Sequence, residues 1–250
     1  MKRYGILVVG VLTAAVCVRL GLWQLDRLDQ RKARNALIQE RQEQAPVDLL
    51  ETERFSALFG SDSLHYRRAT AGGTFDFERE VVVMARVYRG VPGAYVITPL
   101  LMAGDTAVLV ERGWAPAPDG RAVELSALRE PSVGEVLGVL MPPHVATDVR
   151  EAEPAWPRFE REANPAVLAE EYPYALIPLV LRRTSNPDAL PATMRAVPLP
   201  ELTNGPHLSY ALQWFSFATI AVIGSIVLFV RLGTEQNTEE KLDRPTSFLL

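Results

Sequence analysis

The sequence predicts an α+β membrane protein in which two transmembrane helices flank a predominantly antiparallel β-sheet domain. Two apolar runs and the texture of the chain between them predict it. The first run, Tyr4 to Leu22, is broken only by Arg19, and the second, Leu208 to Leu232, carries no formal charge before Arg231. At about 1.5 Å rise per residue, either is long enough to cross a hydrocarbon core about 30 Å thick as one helix. Between them, short β-branched runs punctuated by Gly and Pro argue for strands. The organisation that follows is an N-terminal transmembrane helix over 1–22, an α+β domain with a β-rich core over 23–206, a C-terminal transmembrane helix over 207–232 and a tail over 233–250.

The first run must be weighed against a cleaved signal. Met1-Lys2-Arg3 and Val8 to Val18 suit one, but Arg19-Leu-Gly-Leu-Trp23-Gln24 puts bulky and charged residues where a signal peptidase needs small ones. Leu12 to Cys17 invites a lipoprotein reading that Val16 and Arg19 oppose, so the segment reads as an uncleaved anchor. Gly10 and Ala14 form a small-xxx-small step suited to helix contact, and Arg19 is near enough to the helix end to snorkel. Two spans put both termini on one side of the membrane. Lys2 and Arg3 favour a cytoplasmic N-terminus, against Arg27, Arg31, Lys32, Arg34 and Arg41 beyond the span. The reading adopted is termini in the cytoplasm and domain outside, with membrane lipid as the first partner.

From Trp23 to Gln44 the first span continues as a charged amphipathic helix, with Trp23 at headgroup level, and Pro46 ends it. His65 to Phe77 reads as a strand bending at Gly72-Gly73, and Glu80 to Arg86 as its neighbour. Val91 to Ala94 reads as a turn before a strand at Tyr95 to Leu100. Gly104-Asp105 turns into a strand at Thr106 to Trp114, and Glu135 to Met141 adds another. Pro154 to Pro173 is helical or irregular, anchored by Trp156, Phe159 and Tyr172. Ala175 to Arg182 is a further strand, placed at an edge by Pro178. A Pro-rich segment, Asn186 to Pro206, leads into the second apolar run.

The chemistry the sequence can carry is narrow. With 26 basic and 30 acidic residues, net charge −4, and no basic stripe, nucleic acid is not a partner. Cys17 is the only cysteine, so the chain holds no disulfide of its own and no two-cysteine copper or redox site; it reads as a small buried hydrophobe. A phosphate-binding Gly-rich loop and a nucleophile elbow are both missing, so no catalytic residue is assigned and an enzyme is not expected. His65, His144 and His207 have no metal-ligand spacing, and the first two read as local hydrogen-bonding residues. His207 differs because it opens the second span, with Tyr210, Ala211 and Trp214 following at helical steps. There it can serve as an interfacial anchor or as an axial haem-iron ligand, and both stay open. Ala218, Ala221 and Ser225 continue a small-residue stripe that can pack on the first span or on a partner's helix.

Four segments in order resemble the Surf1/Shy1 family of cytochrome c oxidase assembly proteins. They are Gly21-Leu-Trp23-Gln24-Leu-Asp-Arg27 with Arg31-Lys32, Gly93-Ala-Tyr-Val-Ile-Thr-Pro-Leu100, Val110-Glu-Arg-Gly-Trp-Ala-Pro116, and His207-Leu-Ser-Tyr-Ala-Leu-Gln-Trp-Phe215. The chain departs from the family pattern at Gln30, where an aromatic is common, and at Glu111, where Asn is common. The resemblance implies a bacterial inner-membrane protein with its central domain in the periplasm. It further implies non-catalytic work in maturing oxidase subunit I, alongside other oxidase assembly factors. Through the matching histidine, it implies that His207 binds haem a, as cofactor ligand and metal ligand at once. A chaperone that touches only protein is the alternative, and a haem-modifying oxidoreductase a third reading. Arg112 reads as a structural ion pair or as a contact to an acidic partner or haem propionate, and Trp114 as a packing anchor or a partner surface.

Overall fold

The computed structural model describes residues 2–50, 62–118, 123–142, 155–184, 191 and 193–242. The chain divides into two compact units, Leu37–Glu201 and a unit made of Met1–Ala36 with Leu202–Leu250.

The first helix, α1 (Lys2–Glu43), runs without a break through Trp23, so the apolar run and the charged stretch after it are one element. It stops three residues before Pro46, whose preceding residue is disfavoured in the helical region.

The sheet unit contains β1 (Val47–Asp48), β2 (Arg68–Phe75), β3 (Val81–Tyr88), β4 (Val91–Leu101), β5 (Thr106–Pro116), β6 (Val133–Met141), β7 (Arg158–Glu160) and β8 (Ala175–Arg183). Their order is β1-β2-β6-β8-β5-β4-β3-β7 in one eight-stranded sheet. The sheet is mixed. The hairpin and meander pairings are antiparallel, but β1–β2, β3–β7 and β5–β8 run parallel. A helical turn, α2 (Pro165–Leu168), begins at Asn164, whose side chain accepts from the Ala166 N–H, with Pro165 in the first helical turn where its missing N–H costs nothing.

The sheet curls until its strands meet again: the end of β2 pairs with β4 at Thr74–Leu101 and Phe75–Leu100. Gly73 permits the closure. A Cβ there would lie 2.1 Å from the Leu101 carbonyl oxygen, so only glycine lets the backbones approach. Of the three buried clusters among the described residues of the sheet unit, two take alternate residues of β5 and so lie on its opposite faces. Phe75, Leu100, Val108, Val110, Leu140 and Leu181 form one. Val81, Val83, Ile97, Leu109, Val180 and Tyr172 form the other, covered by the segment that carries α2. Strand β5 contributes alternate residues to both, which is why it reads as a continuous apolar run.

Two expectations change. Val91–Ala94 belongs to β4, and the turn is Arg89-Gly90, both left-handed at φ 48° and 83°. Such a two-residue turn matches the twist of a hairpin, and Gly90 adopts it without strain. Strand β8 is interior, between β6 and β5, rather than at an edge. Its register with β5 slips between Ala107–Leu176 and Leu109–Val180, and Pro178 sits in that slip, where no ladder hydrogen bond is asked of it.

The last element is α3 (His207–Leu242). Both α1 and α3 contain a stretch long and apolar enough to cross a membrane, Tyr4–Glu43 and His207–Glu235. Against each other they pack antiparallel: Tyr4 meets Phe229, Gly10 meets Ser225, Cys17 packs with Ala218, Gly21 meets Phe215, and Gln24 meets His207.

Candidate functional site

The contact between α1 and α3 is a seam of alternating four- and three-residue steps. On α1 it uses Gly10, Ala14, Cys17, Gly21, Gln24 and Leu28; on α3 it uses His207, Ala211, Trp214, Ala218, Ala221 and Ser225. This is the repeat that keeps one stripe of a helix facing its neighbour. A Cβ on Gly10 would lie 2.2 Å from Ser225 Oγ, and one on Gly21 would lie 2.5 Å from the Phe215 ring, so both glycines mark close approach. The small-residue stripe of α3 therefore packs on the first apolar helix, and Ala211 is fully buried. Tyr210 falls off the seam and is exposed.

His207 occupies the last layer of that seam, half-buried, as the first residue of α3. Its Nδ1 lies 2.8 Å from Gln24 Oε1. The approach is tied down by Tyr210 N–H donating to the Pro206 carbonyl at 3.1 Å and Ser209 Oγ donating to the same oxygen at 2.7 Å. Asn35 Nδ2 donates to the Thr203 carbonyl at 3.1 Å and to Asn204 Oδ1 at 3.3 Å. Trp214 stacks edge-on against Phe217 at 5.8 Å, giving the histidine end of α3 an aromatic surface. An imidazole with one nitrogen anchored by a hydrogen bond meets one condition for an iron ligand, a fixed ring orientation. Among the described residues no group of three or more His, Cys, Asp or Glu could hold a bare metal ion. His65 is far along the chain in the sheet unit, and His144 lies outside the described residues.

Within the sheet unit, Arg112 is the centre of a buried charge cluster, which is the structural alternative for this residue. Its Nη1 meets Glu80 Oε1 at 2.9 Å and Thr98 Oγ1 at 3.1 Å, and its Nε meets Glu130 Oε1 at 2.7 Å. Nη2 donates to the Leu128 carbonyl. Arg183 closes the set with Nη1 at 2.7 Å from Glu130 Oε2. The guanidinium of Arg112 also lies over the Phe77 ring at 5.1 Å. Burial pushes the Glu80 carboxyl above the usual carboxylate range, against the opposing pull of Thr98 and Arg112. None of the partners of Arg112 was legible in advance, because they come from scattered turns and strands.

Trp114 is buried, donates from Nε1 to the Arg86 carbonyl at 3.3 Å and stacks on Tyr88 at 5.4 Å, so it is a packing anchor. The departure at Glu111 is matched across the β5–β8 ladder, where Glu111 pairs in register with Arg182 and their side chains form an ion pair at 2.9 Å. Beside them is a cavity of about 230 Å³ lined by Val83, Arg86, Tyr95, Ile97 and Glu162 among others. Arg86 reaches that face because β3 bulges at Ala85, held at φ 57°. Tyr172 and Tyr174 hydroxyls donate to the Arg79 carbonyl and to Asp76 Oδ2, and burial raises both phenols above their ordinary value.

The sequence profile described as the SURF1 family matches residues 11–219. A SURF1-like protein of Rickettsia felis is 26% identical over 229 residues, covering 88% of this chain and 93% of the relative. One from Rickettsia bellii is 26% identical over 222 residues, covering 85% and 86%. A SURF1-like protein of Dictyostelium discoideum is 29% identical over 100 residues, covering 38% and 37%. The chain belongs to the SURF1 family.

Proposed function

From this family membership we propose that the protein is a non-catalytic, membrane-anchored assembly factor for haem-copper cytochrome c oxidase. It assists the maturation of subunit I, together with other assembly factors, and presents haem a through His207. The observation that carries the reading is the family match from residue 11 to residue 219, which takes in most of α1, the sheet unit and the start of α3 together. The outward faces of the helix pair support the membrane placement. Val9, Val11, Leu12, Ile220 and Val230 are each about 60% exposed or more in the isolated chain, a surface suited to lipid and costly in water. Termini in the cytoplasm and the sheet unit in the periplasm of a bacterial inner membrane complete the proposal, with Lys2 and Arg3 on the inner side.

In this reading His207 would hold haem a, which would supply an iron able to take an imidazole ligand. The chain's part is to bind, orient and release. His207 offers one imidazole nitrogen at the membrane entry, and the aromatic residues of α3 offer flat apolar surface. A single histidine, with no second iron ligand assigned, suits transient holding, which delivery to subunit I requires. The sheet unit, stiffened by its buried charge cluster, recognises an assembly partner.

The test is spectral analysis of the full chain purified from cells that make haem a, beside its His207→Ala form. A stoichiometric haem band that is lost or shifted in inserted, folded His207→Ala protein supports the reading. Subunit I copurifying without haem would favour the protein-only chaperone. Turnover of haem by the purified protein without oxidase would favour the oxidoreductase.

A further inference from the structure

An amide side chain on α1 faces the candidate ligand on α3, and a neutral imidazole has only one N–H and one lone pair to share between its neighbours. Gln24 and His207 are separated by 183 residues in the chain, yet Gln24 Oε1 and His207 Nδ1 are 2.8 Å apart. An amide oxygen can only accept, so Nδ1 must carry the proton and Nε2 must carry the lone pair. We propose that Gln24 is a positioning residue: it holds His207 in the Nδ1–H tautomer and fixes its ring plane, so that Nε2 is presented to haem iron. The inference rests on the haem-presenting reading above and names the residue that makes it work.

Three further observations support it. Among the described residues no other hydrogen bond reaches the His207 ring, so Gln24 alone sets the tautomer. The Cδ2–Nε2 edge lies beside Gly205, whose φ of +66° suits glycine; a Cβ there would come within 3.4 and 3.5 Å of those two atoms. Gly205 thus sets no side chain beside the Nε2 edge. Gln24 is also held in place: it follows Gly21 by three residues on the same seam, and Gly21 is locked against Phe215. A polar residue at such a seam position can instead serve only to fix helix register. Metal-bound histidines commonly donate their second N–H to a carboxylate or carbonyl, which sets the tautomer and raises the basicity of the ligating nitrogen.

The experiment uses the full chain in detergent, as wild type, Gln24→Leu, Gln24→Glu and His207→Ala. With haem absent, nitrogen NMR of histidine-labelled protein reads the tautomer directly. Only three histidines are present, and His207→Ala identifies the relevant signals. Wild type is expected to show a protonated Nδ1 and a bare Nε2, and Gln24→Leu to lose that preference. Haem a titration is expected to give about 10- to 100-fold weaker binding for Gln24→Leu. Gln24→Glu, which keeps an acceptor, is expected to bind near the wild-type level. The reduction potential should move in opposite directions, down for Gln24→Glu because a stronger acceptor favours ferric iron, and up for Gln24→Leu. A protonated Nε2 in wild type overturns the inference, as does equal weakening in both Gln24 variants, which would mark a purely structural contact. Loss of haem in His207→Ala with Gln24→Leu unchanged overturns the role of Gln24 and leaves the haem-presenting reading standing. Unchanged haem in His207→Ala overturns that reading, and the ligand-positioning role with it.

Discussion

Replacing Arg112 by methionine should make the sheet unit unfold far more readily. The side chain is fully buried and holds Glu80 and Glu130, themselves only 2% and 5% exposed. With all four groups ionised, Arg112 and Arg183 balance the two carboxylates. Methionine leaves Arg183 to balance Glu130 and leaves Glu80 with the Thr98 hydroxyl, 2.6 Å away, as its remaining partner. Breaking a buried pair from one side costs about 3–5 kcal/mol, because the stranded charge has no water to return to. For a unit of this size that corresponds to a fall in melting temperature of about 6–20 °C. The loss depends on pH in a definite sense. Burial already raises the Glu80 pKa in the folded state. The native state therefore holds this proton more tightly than the unfolded chain, and the stability contributed is greatest below the ordinary carboxylate value and declines as pH rises through the raised one. Removing Arg112 takes away an influence that lowers that pKa and so widens the window upward. The deficit of Arg112→Met relative to wild type should thus be smaller at about pH 5 than at about pH 7.5. Arg112→Met/Glu80→Gln, which removes the stranded Glu80 charge and keeps the balanced Glu130–Arg183 pair, should recover at least about 1 kcal/mol. Thermal unfolding of the full chain in detergent, followed by near-UV circular dichroism, measures all three forms. A loss below about 1 kcal/mol at neutral pH, or a double variant no better than the single one, would refute the reasoning.

Further outcomes are expected elsewhere in the chain. Val87 is 65% exposed in the sheet unit, so Cys17→Ala/Val87→Cys should react with a membrane-impermeant maleimide added to the periplasmic side of intact cells; labelling only after the inner membrane is opened would reverse the proposed topology. Gly93→Ala should destabilise by about 1–3 kcal/mol, since its Cβ would lie 2.3 Å from both the Ala115 carbonyl oxygen and the Trp114 ring. Its unfolding midpoint in denaturant reads this, and an unchanged midpoint would mean that β4 and β5 can separate at that point without penalty.

The strands were legible because β-branched runs between Gly and Pro report local period and turns, and both are properties of neighbouring residues. Pairing partners are not local. Nothing in Val81-Val82-Val83 states that the strand beside it is Arg158–Glu160 and runs parallel, so a largely antiparallel expectation became a mixed sheet. Pro178 misled for a related reason. A proline forbids a ladder bond only where one is required, and the register slip opposite Val108 removes the requirement. The same limit hid the partners of Arg112, which the chain supplies from Glu80, Thr98, Leu128 and Glu130.

The helix pair shows where more could have been read. Gly10, Ala14, Cys17, Gly21, Gln24 and Leu28 follow one another by steps of four and three, as do His207, Ala211, Trp214, Ala218, Ala221 and Ser225. Two such seams in one chain, each rich in small residues, argue for each other as partners, and antiparallel pairing then follows from the chain's passing out along one helix and back along the other. Laying them antiparallel with Gly10 on Ser225 sets Gln24 level with Ala211, one turn from His207, and the long amide side chain spans that turn to reach the imidazole. The seam therefore connects the packing of the two helices to the candidate site: the glycines fix the register, and the register puts the Gln24 side chain within hydrogen-bond reach of His207.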